Sequence, residues 1–185
     1  LPGPPIPVLR RGGNADVHAA YGAGTTAAYG LALLDRIADA PADAEAPRVL
    51  IVTPTAVRAV SAADELAALA GRLDVRVRAL APGWHDAERA DVVTGALANV
   101  AGAIGRSALK LDALQAIVIE SLSVLLDENG RDALDAILTA VPRDAQRVIT
   151  TSIANAEVER FVEAYVRRPL HVPARAAAPD TRGES

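Results

Sequence analysis

Apolar positions along this chain alternate between two patterns. Short runs rich in Val, Ile and Leu are separated by longer stretches where apolar residues recur every three or four positions. The short runs are DVHAAY (16–21), RVLIVTP (48–54), VRVRAL (75–80), ADVVTG (90–95), QAIVIES (115–121), RVITTS (147–152) and LHVP (170–173). Several are apolar throughout, as expected of strands covered on both faces. Between them, helical spacing links Leu31, Leu34 and Ala38, then Val57, Val60, Asp64 and Ala67. It continues through Leu134, Ile137 and Leu138, and through Ala154, Val158, Phe161, Val162 and Tyr165, with Asn155 as a helix cap. Strand and helix alternating at this spacing predict a doubly wound, mostly parallel sheet with helices on both faces.

Composition narrows this picture. A chain of 185 residues has the length of one ordinary domain. Apolar residues make up 51% but aromatics only 3%, so the core must be built from Val, Ile, Leu and Ala. A net charge of −4 lacks the basic excess of an autonomous nucleic-acid binder. Without Cys there is no disulfide, thiol nucleophile or thiolate metal site. The three histidines, His18, His85 and His171, show no ligand spacing, and no metal site is expected. The chain has no Met, even at position 1, and reads as a trimmed or excised domain. Residues 1–7 form a Pro-rich lead-in, 8–173 the domain and 174–185 a polar linker or tail. No stretch has the length and apolarity of a membrane span or a signal peptide, so a soluble, cytoplasmic protein is the expectation.

The first strand runs into AAYGAGTTAAYG (19–30) and then a helix. A glycine turn in that position aims backbone N–H groups at an anion. A working phosphate loop reads G-x-x-x-x-G-K-[ST]. Here Gly22, Ala23, Gly24, Thr25 and Thr26 keep the last glycine and the hydroxyl residue, but Thr25 stands where the lysine belongs. A hydroxyl donates one hydrogen bond and cannot neutralise phosphate charge. Taken alone, the turn is more simply read as a glycine-containing βα connection.

In order, five segments resemble the first RecA-like domain of DEAD-box RNA helicases, over residues 6 to 173. IPVLRRGGNADVHAAYGAGTTAAYGLALLDRI is similar to that family's phosphate loop and its flanks, with 19–26 in place of A-x-T-G-x-G-K-T. RVLIVTPTAVRAVSAADELAALA resembles the P-T-R-E-L-A segment: Pro54 and Thr55 match, while Ala56 and Val57 replace Arg and Glu. Pro82 and Gly83 stand where the family has a G-G pair, and Ala96-Leu97-Ala98-Asn99 where it has T-P-G-R. In IVIESLSVLLDENG, Glu120 and Ser121 open the position of D-E-A-D. In RVITTSIANAEVERFVEAYVRRPLHV, Thr151, Ser152 and Ile153 replace S-A-T.

The resemblance implies a RecA-like, phosphate-loop NTPase fold with each motif altered. In the family, the D-E-A-D aspartate holds Mg²⁺ through water and the adjacent glutamate orients the attacking water. Glu120 keeps a carboxylate at the first position, but Ser121 cannot serve at the second. The expectation is a non-catalytic module with a degenerate nucleotide loop and no catalytic residue. No cofactor is expected beyond weak binding of ATP and Mg²⁺. Pro54, Thr55, Gly83 and Asn99 are the positions the resemblance turns toward RNA. The implied partners are RNA or a ribonucleoprotein, a protein partner or a second RecA-like domain. The alternative is the N-terminal domain of a longer ATP-dependent RNA helicase with weak nucleotide binding.

Overall fold

The computed structural model describes residues 5–19, 24–39, 46–80 and 89–172. In chain order the elements are α1 (Pro5–Arg10), β1 (Ala15–His18), α2 (Thr25–Ala38), β2 (Val49–Thr53), α3 (Ala56–Ala70), β3 (Val77–Ala79) and β4 (Val92–Ala96). They continue with α4 (Leu97–Gly105), β5 (Ala116–Ile119), α5 (Leu122–Asp127), α6 (Arg131–Ala140), β6 (Gln146–Thr151), α7 (Ala156–Tyr165) and β7 (Leu170–Val172). The strands form one seven-stranded sheet in the order β3-β4-β2-β5-β6-β1-β7. Each pairing is parallel, and the seven runs read from the sequence each overlap a strand.

The central strands are buried along their length, so alternate residues feed opposite layers. Val49 and Ile51 pack with Tyr29, Leu33, Ile37 and Leu66 beneath α1–α3. Leu50 and Val52 pack with Val100, Leu134, Ile137 and Phe161 beneath α4–α7. This is why these strands read as continuous apolar runs. Asn155 caps α7 as its position suggested, accepting from the N–H groups of Glu157 (3.1 Å) and Val158 (2.9 Å).

Three readings change. α1 begins at Pro5, inside the span read as a lead-in; its prolines occupy a first turn whose N–H groups have no helical partner anyway. The short helix α5 has no counterpart in the sequence reading. In α3 the buried face is Ala59, Ala62, Ala63, Leu66 and Ala70, while Val57 and Val60 are exposed. The cause is a close helix crossing. A Cβ on Gly30 of α2 would lie 2.6 Å from Leu66 Cδ2, so the α2–α3 contact selects small residues over β-branched ones.

A buried ion pair ties the N-terminal edges of three strands together. Arg48 donates to Asp91 Oδ1 (3.1 Å) and to the Ile37 carbonyl (2.6 Å), and the Arg76 N–H donates to Asp91 Oδ2 (2.8 Å). Burial pushes the Asp91 carboxyl up, but the Arg76 N–H and the Arg48 guanidinium outweigh it and hold it below its ordinary value. Asp91→Ala removes the carboxylate that both the Arg48 guanidinium and the Arg76 N–H engage and is expected to cost about 3 kcal/mol at neutral pH in urea unfolding. The carboxyl is depressed in the folded state, so its contribution is present above the unfolded value and lost as pH falls through the folded one. The gap between wild type and variant should therefore narrow only below about pH 4.

Candidate functional site

The carboxyl ends of β1, β2, β5 and β6 meet at a crevice, the usual ligand position in an open α/β sheet. Backbone bonds carry the strands just past their ends: the Ala19 N–H donates to the Thr151 carbonyl (3.0 Å), and the Glu120 N–H to the Val52 carbonyl (2.9 Å). A cleft of about 370 Å³ opens there, lined from β1, α2, α3, β5 and β6. Gly24, at the start of α2, has φ 72°, a left-handed conformation that glycine adopts without Cβ strain. Ser121 adopts the same region, with φ 55° and ψ 52°.

Most of the residues singled out from the sequence gather here. Gly24, Thr25, Thr26, Thr55, Glu120, Ser121, Thr151 and Ser152 border the cleft. Ile153 lies beside it, its carbonyl accepting from the Thr151 hydroxyl (2.8 Å). Pro54, between β2 and α3, and Asn99, in the first turn of α4, are half-buried and do not border it. Gly22, Ala23, Gly83 and the lone Trp84 lie outside the described residues.

The group at the centre of the cleft is one the sequence reading did not select. Arg58, in the first turn of α3, donates from Nε to Glu120 Oε2 (2.8 Å) and from Nη2 to Oε1 (2.9 Å). The same Nη2 donates to the Thr26 hydroxyl, and Nη1 donates to Glu65 Oε1 (2.9 Å). Thr55 sets this turn by capping α3, its hydroxyl accepting from the Arg58 N–H (3.1 Å). Glu120 also accepts from the Tyr29 hydroxyl and from Thr26 (3.4 Å). The carboxylate is thus held at both oxygens by a two-pronged guanidinium, the strongest form of side-chain ion pair.

Charge states follow from this packing. Burial pulls the Arg58 guanidinium down, but the hydrogen bond and charge of Glu120 outweigh it, so it holds its proton more firmly than a free arginine. Burial raises the Tyr29 hydroxyl well above an ordinary phenol, and the neighbouring Glu120 charge adds to the effect. Tyr29 therefore acts as a neutral donor. Beside this network, the Ser121 N–H donates to the Thr150 hydroxyl (3.0 Å). Arg58 could have been suspected from its place three residues after the Thr55 cap, on the turn that follows β2. Nothing in the sequence pairs it with a carboxylate 62 positions away.

The fold also joins residues the sequence kept apart. Asp16 Oδ2 lies 3.0 Å from His18 Nε2 and 3.2 Å from His171 Nδ1, where β1 pairs with β7. His85 is outside the described residues.

A model of the DEAD/DEAH box helicase family matches residues 5–161. The chain belongs to this family. Among curated relatives, it is 24% identical over 181 residues to the ATP-dependent RNA helicase DRS1 of Eremothecium gossypii, covering 93% of this chain and 25% of that protein. It is 26% identical over 174 residues to the DEAD-box ATP-dependent RNA helicase CshA of Streptococcus pneumoniae, covering 90% of this chain and 33% of that one. This DEAD/DEAH box helicase domain thus spans a quarter to a third of the relatives' length. Its fold matches the crystal structure of a DEAD box protein from Methanococcus jannaschii with a TM-score of 0.83 at 20% identity, over 92% of this chain and 48% of that one. A hypothetical ATP-dependent RNA helicase from Sulfolobus tokodaii superposes with a TM-score of 0.81 at 19% identity, over 91% and 50% of the two chains. The seven-stranded parallel sheet is therefore the RecA-like domain of that family, as the sequence resemblance implied. Among the described residues, no helix is long and apolar enough to cross a membrane.

Proposed function

We propose that this helicase-family domain is a non-catalytic binding module in whose nucleotide cleft Glu120 and Thr26 are engaged by its own arginine. The observation that carries the reading is the Arg58–Glu120 pair. The carboxylate at the D-E-A-D position and the hydroxyl of Thr26 are groups of the cleft suited to Mg²⁺. Both engage Arg58 instead, an arrangement that does not fit a metal–nucleotide complex. Ser121 carries no carboxylate to orient water, and Thr25 puts no charge beside a phosphate. The partners consistent with family membership are RNA, a ribonucleoprotein or a protein surface, engaged without turnover.

Calorimetric titration with Mg²⁺–ATP is expected to give no binding heat at millimolar nucleotide. Thr25→Lys alone should not restore it, because the lysine would enter a cleft whose carboxylate is already paired. Tight, Mg²⁺-dependent binding by the wild-type domain would overturn the proposal.

One observation favours a second reading. Arg58 places in the cleft the positive charge that the loop lacks, so a chain continuing into a second RecA-like domain could hold nucleotide weakly with Arg58 as its cation. RNA-stimulated phosphate release by the full-length chain would support that reading, and a flat time course would dismiss it.

A further inference from the structure

At the end of the sheet opposite the cleft, a recess of about 340 Å³ lies between the start of β6, the residue before β1 and the end of α7. Arg143, Arg147 and Arg167 line it, and among the described residues no carboxylate does. The nearby Asp135 is committed elsewhere: it accepts from Arg131 Nε (3.0 Å to each oxygen) and from the Tyr165 hydroxyl (2.6 Å).

The backbone forces two of these cations together. Asn14 accepts from the Arg147 N–H (2.8 Å) and donates to the Arg167 carbonyl (2.8 Å), while Arg147 Nη1 donates to the Tyr165 carbonyl (2.6 Å). The Nε–H of Arg147 is buried and has no acceptor. Burial, and then the charge of Arg167, make Arg147 give up its proton more readily than a free arginine. A cluster of like charges with an unused buried donor is costly unless an anion joins it. Guanidinium groups match the oxygens of a tetrahedral anion in paired hydrogen bonds.

We propose that this recess binds the dianionic phosphate of a monoester or a pyrophosphate, with Arg147 as the inner donor and Arg143 and Arg167 closing on it from the surface. Three cations suit a dianion better than a carboxylate or a single phosphodiester link, each of which carries one charge. The site is independent of the cleft: it uses none of the cleft's residues and stands whether or not the cleft binds nucleotide.

The test is titration of the whole chain with inorganic pyrophosphate at constant ionic strength, read by calorimetry and thermal melting. Wild type should bind saturably, with the melting midpoint raised by about 4 °C at tenfold excess over the dissociation constant. Arg143→Gln/Arg167→Gln, both at exposed positions, should weaken binding at least about tenfold, the loss of a charge-assisted hydrogen bond. Val57→Glu, which sets a negative charge at an exposed position on the cleft, should leave it unchanged, which separates this site from the cleft. Arg167→Lys, retaining charge without the fork, should fall between. An RNA oligonucleotide lacking a terminal phosphate should not compete, whereas one with a 5′-monophosphate should. Absence of saturable binding, loss of binding in Val57→Glu, retention in the double variant, or equal competition by the unphosphorylated RNA would each overturn the proposal.

Discussion

Arg58→Ala should destabilise this domain by about 3 kcal/mol, lowering the melting midpoint by about 8 °C. The side chain is 16% exposed and its partner Glu120 only 5%, so removing the guanidinium leaves a carboxylate in a largely dry site. Breaking a buried pair from one side costs more than the pair contributes, because the remaining charge still pays its desolvation. Water entering the vacated cleft, and the remaining donors Tyr29 and Thr26, keep the loss at the lower end of that range. Arg58→Ala/Glu120→Gln should recover much of it, since a neutral amide can still bond Tyr29. Chemical denaturation of the two variants at neutral pH measures both effects. A single variant within about 0.5 kcal/mol of wild type would show that the bridge is a surface pair, and the proposed function would lose its basis.

Phe161→Ala should cost about 4 kcal/mol. Phe161 is fully buried on α7, inside the layer that covers β5 and β6. It stacks at 4.9 Å against Tyr165, and the Arg131 guanidinium sits 5.1 Å above its ring. Truncation removes the apolar burial, opens a cavity between α7 and the sheet, and releases the cation from the ring face. Phe161→Leu retains most of the volume and should cost about 1.5 kcal/mol. Because α7 carries Tyr165 and leads into Arg167, the alanine variant should also loosen the arginine recess, whereas the leucine variant should spare it. Urea unfolding of both variants, with the denaturant slope compared to wild type, provides the check.

How legible each part was depended on contrast in the pattern. The central strands could be located because β2, β4, β5 and β6 carry Val, Ile or Leu against an Ala-rich background, and β-branched residues suit a pleat buried on both faces. Helix faces were harder to read. In α3 the residues AVRAVSAADELAALA leave the two exposed valines as apolar as anything on the buried side, so periodicity chose the wrong stripe. The deciding fact was the close approach of α2 at Gly30, which no single helix records. α5 was hidden for a related reason: six residues, LSVLLD, are too few to show a period.

The glycine-containing turn after β1, with Thr25 and Thr26, and the Glu120-Ser121 pair at the end of β5 could be picked out from residue order, because motifs are local. Membership of the DEAD/DEAH box helicase family was legible for the same reason, as five segments keep their order and spacing. Tertiary structure decided which charges meet. Arg58 reaches Glu120 across 62 positions, His18 and His171 flank Asp16 from the two ends of the chain, and Arg147 and Arg167 are clasped by Asn14. Side-chain electrostatics acts over a few ångströms of space, and a parallel sheet brings strands distant in sequence within that range. The sequence alone therefore determined the scaffold and the family. Only the folded chain placed a cation from α3 against Glu120 in the cleft.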